Sequence, residues 1–132
     1  MEPARPADWP HPDSLDALTA APDSHRVLID NQAVRVVQVV IPPRVREPAH
    51  THRWPSVMQV YQPARIRYYG EDGSLLFESP HDFDPTPREP AWMEPEGPHS
   101  VENVDTRPYL AYRIELKVVP PRPWRARATT TP

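Results

Sequence analysis

The chain of 132 residues contains no cysteine, which excludes disulfides and thiolate metal sites and suits a cytoplasmic protein. Glycine is scarce, with 3 residues against 21 prolines, so proline sets most of the local backbone restrictions. Proline fixes φ and removes a donor, which assigns these residues to tails, turns and strand ends. Long apolar runs are missing too. The longest, Val36-Val37 and Val39-Val40-Ile41, are far too short to cross a bilayer, and the polar, proline-rich stretch 1–12 does not resemble a signal peptide. A basic field is also lacking: 15 Lys and Arg against 18 Asp and Glu leave a net charge of −3, unlike a nucleic-acid-binding surface. The expectation is a soluble, single-domain protein with no membrane and no nucleic-acid partner.

What is present reads as short strands. Residues 1–24 form an arm with one short helix at 15–20, capped by Asp13 or Ser14 and stopped by Pro22. Residues 25–119 form the folded domain, and 120–132 a disordered tail whose Pro-Pro-Arg-Pro run is read as a solvated end. β-Branched and aromatic runs predict strands at 27–29, 33–41, 56–61, 65–69, 74–77, 91–93, 99–104 and 109–118. Asp30-Asn31 and Gly70-Glu71-Asp72-Gly73 supply tight turns. Many short strands with one helix predict an antiparallel sandwich or barrel, and about eight strands tend to enclose room for one small ligand.

The chemistry concentrates in histidine. His50-Thr51-His52 places two imidazoles on one face of a strand, because side chains alternate with period 2. A third histidine from a distant strand, His99, would complete a three-nitrogen face for a metal ion. Parity extends the inward set to Ser56, Met58 and Val60. On the last strand Leu110, Tyr112, Ile114 and Leu116 read as the apolar inner face, with Arg113, Glu115 and Lys117 outside. Weaker substrate-contact candidates are therefore Ser56, Met58, Trp92 and Tyr112, each with an ordinary packing role as the competing reading. His11, His25 and His81 read as surface residues, and Glu102 as outward-facing. No Ser-His-Asp set, phosphate loop or paired-carboxylate arrangement is legible.

These residues carry a resemblance. Ile41-Pro42-Pro43-Arg44-Val45-Arg46-Glu47-Pro48-Ala49-His50-Thr51-His52 resembles the first motif of the cupins. Trp92-Met93-Glu94-Pro95-Glu96-Gly97-Pro98-His99-Ser100-Val101-Glu102-Asn103 resembles the second. The resemblance spans roughly 27–117 and implies an all-β, antiparallel jelly-roll barrel, often dimeric, with a divalent metal held by His50, His52 and His99. Three departures stand out. Arg44 occupies the position where the motif opens on glycine, Ser56 falls nearest the position of the family's metal-binding glutamate, and the second motif is one residue short between Gly97 and His99.

The resulting expectation is a metal-binding cupin, holding iron, zinc, nickel or manganese and acting on a small, anionic, oxygen-bearing molecule. Oxygenase chemistry is the first reaction class to test. An all-imidazole set leaves the metal's charge uncompensated, which is the reason for favouring an anion. The competing readings are a metal-free cupin that binds a small ligand or serves as a structural dimer, and metal-free catalysis with a histidine base. A homodimer through an edge strand or the N-terminal arm is expected.

Overall fold

The computed structural model describes residues 9–117. The arm at 1–8, the end of the last predicted strand and the tail at 120–132 lie outside the described residues. Nine strands are found among those described: β1 (His25–Asp30), β2 (Val34–Ile41), β3 (His50–His52), β4 (Ser56–Gln62), β5 (Ile66–Tyr69), β6 (Leu75–Glu78), β7 (Ala91–Met93), β8 (Glu96–Asn103) and β9 (Tyr109–Leu116). All pairings are antiparallel. One sheet runs β1-β2-β9-β4-β7 and the other β3-β8-β5-β6, so the ladders form two sheets rather than one closed ring.

Local chemistry accounts for the turns. Asn31 Oδ1 accepts from the amides of Ala33 (2.8 Å) and Val34 (2.9 Å), an Asx turn that reverses β1 into β2. Gly73 has φ +82°, the left-handed conformation this hairpin needs before β6. Arg44 has φ 68°, so the left-handed backbone that the first motif reserves for glycine is kept here by an arginine. Its guanidinium donates to the Val104 carbonyl at 2.8 Å. The helix is shorter than expected: a 3-10 turn at Asp13–Leu15 precedes α1 (Ala17–Ala20). Asp16, rather than Asp13 or Ser14, caps α1 by accepting from the Leu18 amide.

The apolar core lies between the sheets. Val37, Val39, Ile41, Met58, Met93, Tyr109 and Ala111 of the first sheet meet Ile66 and the preceding Ala64, with Phe77 and Val101 packed alongside. The phase of β9 is opposite to the expectation. Tyr109, Ala111, Arg113 and Glu115 are buried, while Leu110, Tyr112, Ile114 and Leu116 face outward. The physical reason is visible in the ladders: Ile29, Val36, Ile114, Val57 and Trp92 stand directly opposite one another across all five strands of the outer face. That outer face is apolar and the inner face carries charge, so apolarity alone selects the wrong side.

Candidate metal centre

The centre begins at the pairing of β3 with β8. His50 stands opposite His99 and His52 opposite Glu96, with a register shift between them. Two residues, Gly97 and Pro98, therefore oppose the single Thr51, as in a β-bulge, and the proline's missing amide is tolerated there. The shift matters chemically. Strict alternation would turn Glu96 away from the face that holds His99, whereas the extra residue brings both into the same cavity. Thr51, between the two histidines, is also buried, because Asp16 at the start of α1 bridges to it from the other side.

His25 is the first residue of β1 and was expected at the surface. It is buried at 6% exposure and its ring centroid lies 4.7 Å from that of His50 and 5.5 Å from that of His52. The four imidazoles of His25, His50, His52 and His99 line one cavity of about 30 Å³, room for roughly a single ion or water. Backbone carbonyls orient three of them. Nδ1 of His50 donates to Pro48 O and Nδ1 of His99 to Gly97 O, both at 2.8 Å. Nδ1 of His25 lies 3.0 Å from Ala21 O and 2.9 Å from Ser24 Oγ. In the neutral rings each of these contacts assigns Nε2 as the unprotonated nitrogen. Burial keeps three of the rings neutral: it lowers His25 to about 2 and His50 to about 4, and pushes His52 well below its ordinary value, with Arg113 adding to the last.

Three carboxylates enter the same region, none of them at the position of the family glutamate. Glu47, in the loop before β3, lies 3.6 Å from His50 Nε2 and accepts the Ser24 hydroxyl at 2.7 Å. Glu96 pairs with Arg113, accepts the Tyr68 hydroxyl at 2.8 Å and lies 3.8 Å from His99 Nε2. Glu115, directly opposite Ser56 on β4, pairs with Arg35 and lies 3.7 Å from His52 Nδ1. Arg35 in turn holds Asp16 with two bonds of 3.1 Å, which ties α1 to β2 of the first sheet. Burial raises Glu47 and Glu115 above the usual carboxylate range, against the pull of His50 and Arg35 respectively.

The donor set fits a divalent cation. Four buried carboxylates (Asp16, Glu47, Glu96, Glu115) face two buried guanidiniums (Arg35, Arg113), with Arg53 at the edge of Asp16. His52 Nδ1 and Glu115 Oε2 are buried without a hydrogen bond. Separations of 3.6 to 3.8 Å are too long for hydrogen bonds. Two ligands about 2.1 Å from a shared ion at a tetrahedral angle would stand about 3.4 Å apart, close to those values. Donor atoms lying within 4.8 Å of one another form two trios, His25/His50/His52 and His52/Glu96/His99. The expected set of His50, His52 and His99 is thus brought into one cavity but divided between these two trios. The expectation of an all-imidazole set did not include these carboxylates, of which Glu96 and Glu115 are paired with arginines.

The remaining candidates scatter. Met58 lines the histidine cavity. Ser56 is fully buried, its hydroxyl donating to Trp54 O at 3.3 Å. Trp92 is half exposed on the outer face, and Tyr112 also faces outward, where the Gln38 amide reaches its hydroxyl at 3.4 Å. The inner tyrosine of β9 is Tyr109, which lines the histidine cavity and also a larger cavity of about 430 Å³ beside it. Phe77, Phe83 and Val60 wall that larger space, with Asp82, Asp84 and Arg88 among its polar groups. Its loop is pinned, because Arg65 donates to Pro80 O and His81 O and the Arg88 amide donates to Val60 O.

No family model matches the sequence, and no curated protein does. Among solved structures, the chain is similar to a cupin domain from Bordetella pertussis Tohama I, at 21% identity over 71% of this chain and 92% of that one, with a TM-score of 0.57. It is also similar to an uncharacterized conserved protein with a double-stranded β-helix domain from Klebsiella pneumoniae, at 14% identity over 70% of each chain, with a TM-score of 0.51. Two facing antiparallel sheets, a buried histidine cluster between them and these likenesses lead to one conclusion: this chain has the cupin fold.

Proposed function

We propose that this protein is a small metal-dependent cupin enzyme that binds one divalent cation among its buried histidines and acts on a small oxygen-bearing molecule seated in the larger cavity. The observation that carries this reading is the convergence of neutral imidazoles and surplus buried carboxylates on one small space. Neutral nitrogens and carboxylates together suit iron, manganese, nickel or zinc. A bound ion would supply Lewis acidity or, if iron, oxygen activation.

The chain's own groups do the rest. Carbonyls of Pro48 and Gly97 hold the His50 and His99 rings in one tautomer, so their Nε2 atoms keep lone pairs. Ile66 and Tyr109 are shared by both cavities and separate the buried histidines from the substrate space. Burial raises the Tyr109 hydroxyl, which therefore stays a neutral donor beside an incoming oxygen. Phe77 and Phe83 offer apolar surface to the body of the molecule.

The test is elemental analysis of protein purified without chelator, beside a His52→Ala variant. One equivalent of metal in the parent, lost in the variant, is the expected result, and iron at that level directs the next assay to oxygen consumption with small carbonyl compounds. Trace metal that is equal in both proteins would sink the proposal and leave a metal-free binding barrel.

A further inference from the structure

Within that metal-binding reading, we infer that the cation sits on His25, His50, His52 and the Glu47 carboxylate, and that His99 and Glu96 stand outside its coordination. The two donor trios share His52 but differ in electrostatics. On one side, Glu96 is already engaged: one oxygen pairs with Arg113 and the other accepts the Tyr68 hydroxyl. Binding a cation there would bring it beside the Arg113 guanidinium in a buried space, where like charges are costly.

On the other side the carboxylate is not tied up by that guanidinium, although Arg113 lines the same cavity and acts on its histidines from further away. Glu47 has no arginine or lysine ion pair among the described residues; its neighbours are His50, His25 and Ser24. The Ser24 hydroxyl binds Oε2 and leaves Oε1 facing His50 Nε2 at 3.6 Å. The same hydroxyl, together with the Ala21 carbonyl, holds Nδ1 of His25, so the unprotonated Nε2 is the nitrogen left to coordinate. Ser24 thereby links a nitrogen ligand and an oxygen ligand through one side chain.

This set has three imidazoles and one carboxylate. Its carboxylate comes from the loop before β3 instead of the β4 position held by Ser56, and its third imidazole from β1 instead of β8. In this set Glu47 supplies the carboxylate that the Ser56 position lacks. Glu47 is buried without an arginine or lysine ion pair among the described residues, so a divalent ion would offset its desolvation.

Cobalt(II) titration of the metal-free, full-length protein tests this, with visible absorption reporting the ligand set. The parent should take up one equivalent. His25→Ala and Glu47→Gln should each weaken cobalt binding by about 100-fold and change the spectrum, while His99→Ala and Glu96→Gln stay within about threefold of the parent. Circular dichroism checks folding, and His25→Gln replaces His25→Ala if the smaller side chain unfolds the protein. Cobalt binding that His99→Ala abolishes and His25→Ala preserves would overturn the assignment while leaving the metal-binding reading intact. A parent that takes up no cobalt would overturn both.

Discussion

His50 shows how burial sets chemistry at the scale of one residue. It is 1% exposed, and its imidazole is lowered to about 4 mainly by desolvation. A histidine lowered in the fold binds its proton more weakly there than in the unfolded chain. Its contribution to stability is therefore complete above about pH 6.5 and is lost as pH falls toward the folded value. His25 carries the same sign down to about 2, whereas the raised Glu47 and Glu115 have the opposite sign on the alkaline side of their ordinary value. Comparison with a variant isolates one group. For metal-free protein, the stability advantage of the parent over His50→Gln should shrink by about 2–3 kcal/mol between pH 7 and pH 4.5, as measured by urea unfolding. A pH-independent difference would show that His50 ionises freely in the fold.

Strand β9 displays the same physics at the scale of an element. Its two faces exchange the usual roles: Arg113 and Glu115 are buried with partners, and Ile114 is 40% exposed in the apolar outer row. Arg113→Leu leaves Glu96 without its guanidinium in a buried site, which should cost about 3–5 kcal/mol. Ile114→Lys, one residue along, should cost less than about 1 kcal/mol, since it disturbs only a partly exposed cross-strand row. Thermal and urea unfolding of the two variants checks this order, and a reversed order would refute the phase of β9. The bulge at Gly97-Pro98 belongs to this scale as well: it costs one ladder step and in return turns Glu96 toward the histidines.

For the whole molecule, the two sheets bring together groups that are far apart in the chain. His25, Glu47, His99 and Arg113 come from β1, a loop, β8 and β9, and meet in one cavity. On the proposed reading a cation binds the folded site and not the unfolded chain, so metal and stability are linked. At a free cation concentration about 100-fold above its dissociation constant, a site of this kind should add about 2.7 kcal/mol of stability, or about 10 °C in Tm for a chain of this size. Differential scanning calorimetry with and without chelator measures the shift. It should vanish in His52→Ala, and a shift that persists there would place the cation elsewhere.

Sequence alone determined the strand pattern, because β-branched runs broken by proline and Asn or Gly turns have few other solutions. It also determined that His50 and His52 share a face, because alternation is a local property of extended backbone. The tertiary structure decided what local patterns cannot encode. His25 enters the site because β1 pairs with β2 in a register that faces it toward β3. Glu96 enters through a bulge that breaks alternation, and Glu47 through a loop with no periodicity to read. The inward Arg113 and Glu115 were hidden because the reading of β9 assumed an apolar interior. In this fold the interior carries charges beside its apolar core, and Arg35 with Glu115 and Arg113 with Glu96 are each paired between different strands, so only the assembled sheets make that burial affordable.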